Sequence, residues 1–245
     1  VVQPLKGAPS VAADRARIGY AGEPGSFAED AALAAFGGDA VPDGLSGFRD
    51  VFEAVEGGRV AAGVVPIENL VGGTVRENYD LLLDHQVDVA GEVVVPVRLC
   101  LAALPGTTLQ TVERVYSHSQ ALSQAERFLR TRPWTILTTY NTAGAGKLIA
   151  ERSERGSAAV LSPRAATLFG LEVLVPDVAD EPDNRTRFLV IRSADGEALP
   201  PWRAPVGEGR RTILVFSVRN EPGTLLGALQ AFAARGVNLS KLESR

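Results

Sequence analysis

The sequence predicts an α/β fold with largely parallel strands, and three observations carry that prediction. Short apolar runs alternate with segments of helical period from about residue 16 to residue 193. Strand-like runs repeatedly end in polar and glycine residues that lead into a helix start. Residues 194–210, rich in Pro, Gly and charge, then read as a linker to a new strand–turn–helix–strand unit.

Composition narrows the partners. The 245 residues carry 25 Lys and Arg against 29 Asp and Glu, a net charge of −4, with no basic block to follow a phosphate backbone. No run of eighteen apolar residues suits a membrane, so neither nucleic acid nor membrane is expected as a partner. Val1–Arg15 reads as a loose tail without the apolar core of a signal peptide, and a cytoplasmic location is the expectation. The single cysteine, Cys100, lies in Leu99-Cys100-Leu101-Ala102 and reads as a buried strand residue. With no second Cys and no His near it in sequence, neither a disulfide nor a metal site is indicated.

Taken in order, a strand at 17–21 runs into Gly22-Glu23-Pro24-Gly25-Ser26. Ser26 with Glu29 forms a capping box for a helix that stops at Gly37-Gly38. Such a terminus aims free N–H groups at an anion. Phe48, Val51, Phe52 and Val55 mark a second helix, ended by Gly57-Gly58. A strand from Ala61 leads into Pro66-Ile67-Glu68-Asn69, then Gly72-Gly73-Thr74, where Thr74 and Glu77 suggest a second capping box. Apolar strands at 87–95 and 97–104 are broken by Pro96, a geometry that can carry the chain from one lobe to another. Another strand, 112–116, ends in Ser117-His118-Ser119-Gln120 before a helix with Ala121, Leu122, Ala125, Phe128 and Leu129 on one face. A strand at 134–140 precedes a helix that Thr142 can cap. Gly144-Ala145-Gly146-Lys147 fails as a phosphate loop, because Asn141 stands at its first Gly position and Leu148 where Ser or Thr should bind magnesium. A strand at 158–161, a helix from Pro163 and a strand at 171–175 follow. An acidic connection then reaches Asn184-Arg185-Thr186-Arg187-Phe188, an amide, a hydroxyl and a guanidinium placed just ahead of an apolar strand. After the linker, 212–218 reads as a strand, Leu225, Leu226, Leu229 and Phe232 as a helix face, and 237–239 as another strand.

Five ordered motifs resemble prephenate dehydratase: Tyr20–Phe27, Val65–Asn69 with Gly73, Tyr116-Ser117-His118 with Gln120, Asn184–Phe188, and Glu243-Ser244-Arg245. The resemblance implies a two-lobed, periplasmic-binding-protein-like catalytic region over 16–193, with one lobe from 16–95 and 176–193 and the other from 97–175. It further implies a C-terminal ACT domain of ferredoxin-like α+β type, incomplete here, over 211–245. The implied reaction is decarboxylating dehydration of prephenate to phenylpyruvate, without metal or organic cofactor, with phenylalanine as feedback ligand and a homodimer or homotetramer as the assembly. Thr186 would be the catalytic residue, assisting departure of the ring hydroxyl. Ser26, Asn69, Ser117, Gln120 and Arg187 would bind substrate, with Arg187 as a carboxylate clamp or a loop anchor. Glu68, Gly73, Thr74, His118, Asn184 and Phe188 would support them, Glu68 by orienting Asn69 or a basic group. Gly223, Leu225, Leu226, Asn238, Glu243, Ser244 and Arg245 would form the phenylalanine site. The departures are Glu23-Pro24 in the first motif, Ser26 where Thr is usual, and Ser119 where Pro is frequent. Two alternatives stay open: an arogenate dehydratase, and a two-lobed amino-acid sensor that binds without turnover.

Overall fold

A computed structural model describes residues 15–196, 198–202 and 212–244. Residues 16–193 build two sheets. The first lobe contains β1 (Ala16–Ala21), α1 (Phe27–Phe36), β2 (Ala40–Leu45), α2 (Phe48–Glu56), β3 (Ala62–Asn69), β4 (Gly73–Thr74), α3 (Arg76–Asp84) and β5 (Val87–Pro96). The second contains β6 (Cys100–Ala103), β7 (Arg114–Ser117), α4 (Ser119–Gln124), α5 (Glu126–Leu129), β8 (Thr135–Thr138), α6 (Thr142–Arg152), β9 (Ser157–Leu161), α7 (Pro163–Leu168) and β10 (Glu172–Val175). The chain then returns, and β11 (Arg185–Ser193) joins the first sheet, whose order is β2-β1-β3-β11-β5 with β4 beside β3. The second sheet runs β10-β6-β9-β7-β8.

Each sheet is covered on both faces, so central stretches such as residues 158–161 of β9 and 188–191 of β11 are apolar and buried at consecutive positions. In the first lobe, α1 packs Ala28, Ala31, Ala32, Ala35 and Phe36 against one face. Val51, Phe52 and Val55 of α2, with Leu81 of α3, cover the other. In the second lobe, β9 is Ser157-Ala158-Ala159-Val160-Leu161 and wholly buried. Phe27 packs against the cores of both lobes. Two segments cross between the lobes, after β5 and before β11, and they are hydrogen bonded to each other through Val97 N–H and Asn184 O at 2.8 Å.

Local expectations need four corrections. β2 was not expected, because Pro42 and Gly44 interrupt any strand pattern, yet it pairs in parallel with β1 as an edge strand, where proline is tolerated. Thr74 does not cap α3: it pairs with Glu68 in the short β3–β4 ladder, and Val75 is the N-cap. Asn141, not Thr142, caps α6 by accepting from Gly144 N–H. The strands expected at 212–218 and 237–239 form no ladder among the described residues, where α8 (Thr224–Ala233) is the one regular element of the C-terminal unit. A strand pattern needs a partner strand to become a sheet, and the described part of that unit supplies none.

Candidate active site

Strand direction assembles the site. β1 and β3 are parallel, and β11, antiparallel to β3, begins where β3 ends. The Gly22–Ser26 loop, Asn69 and Thr186 therefore share one edge of the first sheet. In the second lobe β7, β8 and β9 are parallel, so His118, Asn141 and Ser162 follow their C-terminal ends together. The two edges meet: Ser162 Oγ donates to Gly25 O at 3.0 Å, and Gln124 Nε2 lies 3.4 Å from Asn69 Oδ1. Ligands of open α/β sheets bind at such strand ends.

Asn69 and Thr186 are directly opposite in the β3–β11 ladder, so their side chains share a face. Asn69 Nδ2 donates to Thr186 Oγ1 at 2.9 Å and to Asn184 Oδ1 at 3.0 Å. Its Oδ1 accepts from Val71 N–H at 3.1 Å and Gly72 N–H at 2.6 Å. Backbone N–H groups only donate, so they fix which end of the amide is which. Thr186 must then act as acceptor toward Asn69, and its own proton is left for another partner. All three side chains are buried: Asn69 7%, Asn184 2% and Thr186 8% exposed.

A separate cavity of about 190 Å³, which Asn69, Asn184 and Thr186 do not line, lies between Gly22, Gly25 and Ser26 of the first lobe and His118, Tyr140, Asn141, Thr142 and Ser162 of the second. It faces the N-termini of α1, capped by Ser26, and of α6, capped by Asn141. First-turn N–H groups lack intrahelical acceptors and favour negative charge. His118 caps α4 through Nδ1, which accepts from Gln120 N–H.

Ion pairs draw the lobes together around it. Glu23 receives Lys147 Nζ at 3.0 Å and Tyr140 O–H at 3.2 Å. The Glu23 carboxylate raises the affinity of Lys147 for its proton, while burial, with Glu23 adding to it, pushes the Tyr140 phenol up. Arg164 bridges to Glu29 and Asp30, and burial raises the Asp30 carboxyl despite that partner. Gly25 (φ 87°) permits this approach, since a side chain there would meet Ala165 Cβ at 2.9 Å.

Several expected binding residues are placed elsewhere. Arg187 is turned to the opposite face from Thr186, as adjacent strand residues must be. It pairs with Glu68 at 3.1 Å and Glu92 at 3.5 Å, so of its two expected roles this geometry favours the anchor, here between strands, over the carboxylate clamp. Glu68 accordingly holds a basic group. Ser117 is fully buried and donates to Val160 O at 2.6 Å, inside its own sheet and not toward a ligand, because the last residue of β7 points into the lobe. Gln120 is exposed and lies over Gly72, where any Cβ would sit 2.0 Å from its Nε2. Gln124, one turn later and absent from the sequence reading, is the glutamine that reaches Asn69. Gly73 (φ 79°) makes the β3–β4 turn, and Phe188 is a core residue. Cys100 is buried, with its thiol pushed up to about 11. In the C-terminal unit, Gly223 (φ 86°) precedes α8, and Leu225, Leu226, Asn238, Glu243 and Ser244 are exposed. Arg245 lies outside the described residues.

The description of the prephenate dehydratase family matches residues 18–196. The chain belongs to the prephenate dehydratase family. It is 41% identical to arogenate dehydratase/prephenate dehydratase 2, chloroplastic, of Arabidopsis thaliana, over 94% of this chain and 59% of that one. It thus spans little more than half the length of that relative. Among solved structures, prephenate dehydratase from Arthrobacter aurescens in complex with L-Phe superposes with a TM-score of 0.77 at 29% identity, over 94% of this chain and 75% of that one. GqqA, described as a quorum-quenching acylase, reaches 0.76 at 28% identity, over 94% and 81%. The two-lobed mixed α/β architecture is that of this family. The expected cytoplasmic location is corrected by the Arabidopsis relatives, which are chloroplastic proteins.

Proposed function

We propose that the chain is a dehydratase of cyclohexadienyl dicarboxylates, turning prephenate into phenylpyruvate with release of carbon dioxide and water. The observation that carries this reading is the Thr186 hydroxyl, buried, held as acceptor by Asn69 and so left with its proton to give. In the reaction the bond to the ring carboxylate breaks and its electron pair enters the ring. The bond to the opposite ring hydroxyl breaks with its pair on oxygen, and one proton taken up overall completes the departing water. Negative charge therefore develops on that oxygen, where a positioned donor lowers the barrier. Thr186 supplies that hydrogen bond, and solvent supplies the net proton, because an alcohol is a weak acid. The N-termini of α1 and α6, with Ser26 and Thr142, suit a substrate carboxylate. The cavity of about 190 Å³ is lined by Ser26 and Thr142 and not by Thr186, so a substrate that reaches all three requires the lobes to part and the Glu23 pairs to loosen.

Arogenate, which carries an ammonium where prephenate has a keto oxygen, is the second reading, supported by the Arabidopsis relative named for both activities. Phenylalanine acting at the C-terminal unit, as an ACT-type regulatory domain, is supported by the neighbour solved with L-Phe. Self-association through that unit is supported by its exposed Ile213, Leu214, Val215, Phe216, Leu225 and Leu226. The test is purified protein given prephenate and arogenate separately, with phenylpyruvate and phenylalanine measured, each with and without added phenylalanine. Turnover of either substrate supports the dehydratase. Binding without product supports the amino-acid sensor and overturns the enzyme.

A further inference from the structure

The segment that leads out of the two lobes is held to the first by an aromatic side chain. Trp202 stands just ahead of the C-terminal unit, which begins at Val206. Its indole is partly buried against the first-lobe core, 6.2 Å from the ring of Phe36 in α1. It fills the space over Gly91 of β5, where a Cβ would stand 2.2 Å from Cη2 and 2.9 Å from Cζ2. The indole can therefore seat only on a residue without a side chain. Gly91 also marks an irregularity in the sheet. Val190 pairs with Gly91 but Ile191 pairs with Val89, so Ala90 is an extra residue in β5. A bulge interrupts the ladder locally and bends the strand that carries it.

β5 joins that point to the candidate catalytic hydroxyl. Gly91, Val93 and Val95 alternate onto one face, and Val93 and Val95 are buried in the core that Trp202 covers. Val95 lies directly opposite Thr186 in the β5–β11 ladder. Four residues of strand span about 13 Å, so a shift at Gly91 is carried by one continuous element to the neighbour of Thr186. Beyond Pro96, Val97 enters the crossing to the second lobe, where its N–H donates to Asn184 O at 2.8 Å.

We propose that the seat of Trp202 on Gly91 is the coupling contact through which phenylalanine at the C-terminal unit controls turnover. This rests on the regulatory reading given above. Phenylalanine favours one position of the joining segment, and the indole converts that preference into a shift of the bulged strand beside Thr186 and the crossing. A large ring over a glycine is either seated or displaced, which supplies the two-state element that coupling between sites requires.

The test uses the whole chain with whichever of prephenate and arogenate it turns over. Trp202→Ala removes the ring, and Gly91→Ala keeps the ring but displaces it. Leu199→Ala removes a neighbouring contact with the same core and is the control. Rates are measured without and with saturating phenylalanine, and phenylalanine binding is measured by calorimetry. Phenylalanine should lower kcat/KM of the wild type roughly 5- to 150-fold. In Trp202→Ala and Gly91→Ala that factor should fall to about twofold or less, with kcat in the absence of phenylalanine within about threefold of wild type and phenylalanine still bound. Leu199→Ala should respond as the wild type does. Trp134 is the only other tryptophan, so Trp134→Phe isolates the emission of Trp202, which should shift when phenylalanine is added. That measurement leaves the contact intact and decides the matter even where a contact variant fails to fold. An unshifted emission, a full response in either contact variant, loss of phenylalanine binding in both, or an equal loss of response in Leu199→Ala would each overturn the proposal. A wild-type rate that ignores phenylalanine would instead overturn the regulatory reading, and this proposal with it.

Discussion

Replacing Thr186 by Val separates chemistry from folding. The hydroxyl is removed while the branched shape stays. Asn69 Nδ2 then keeps Asn184 Oδ1 at 3.0 Å and Arg185 O at 3.3 Å, so both of its hydrogens retain acceptors. Stability should therefore fall only by about 0.5–1.5 kcal/mol, the net worth of one hydrogen bond. The rate depends on a different quantity, a donor to charge that exists only in the transition state. Losing one such donor costs about 3–4 kcal/mol, a fall of roughly 100- to 1,000-fold in kcat. Thr186→Ser retains the donor and the acceptor and should stay within about tenfold of wild type. Initial rates on prephenate and arogenate, with thermal melts of the same preparations, measure both effects. A Thr186→Val protein that is folded and has wild-type kcat would refute the role, as would a Ser variant as inactive as the Val one.

Two other perturbations test parts of the molecule away from the reacting atoms. Arg187 has a side chain 15% exposed between the two carboxylates of Glu68 and Glu92. Arg187→Ala should cost roughly 2 kcal/mol of stability, between a surface and a buried pair, and leave KM unchanged. A large rise in KM without loss of melting temperature would restore the substrate clamp. The Glu56 carboxyl is held below its ordinary value, first by the hydrogen bond from His85 and then by Gln86 N–H. A lowered carboxylate pKa stabilises the fold above the unfolded value, and that share is lost as pH falls through the lowered one. The melting-temperature difference between wild type and Glu56→Gln should therefore shrink as pH falls from the ordinary carboxylate range through the lowered Glu56 value. A difference that persists there refutes the pairing.

Much of the fold was legible because its signals are local. Ser26 with Glu29, and the glycines after α1 and α2, mark helix ends through backbone geometry that neighbouring residues set. β2 was not legible, since Ala40–Leu45 has no strand pattern, and its place depends on β1 lying alongside. Thr74 carried a cap signature yet became a strand residue, because pairing with Glu68 outweighed a local hydrogen bond. Ser117 and Arg187 were misplaced for one reason. A strand-end motif names residue types but not which face each one takes, and the register with β9, β3 and β5 decides that.

By itself the sequence determined the alternation of strands and helices and the polar character of the strand ends, which follow from residue type and spacing over a few positions. The resemblance carried by its ordered motifs grouped Asn69 with Thr186 as candidates. Tertiary structure decided the rest. Asn69 and Thr186 are 117 positions apart, and only the β3–β11 ladder brings them to 2.9 Å. The protons follow from that contact: backbone N–H groups orient Asn69, Asn69 makes Thr186 an acceptor, and the Thr186 proton is left free. Donor and acceptor roles belong to a network, so no reading of single residues could assign them.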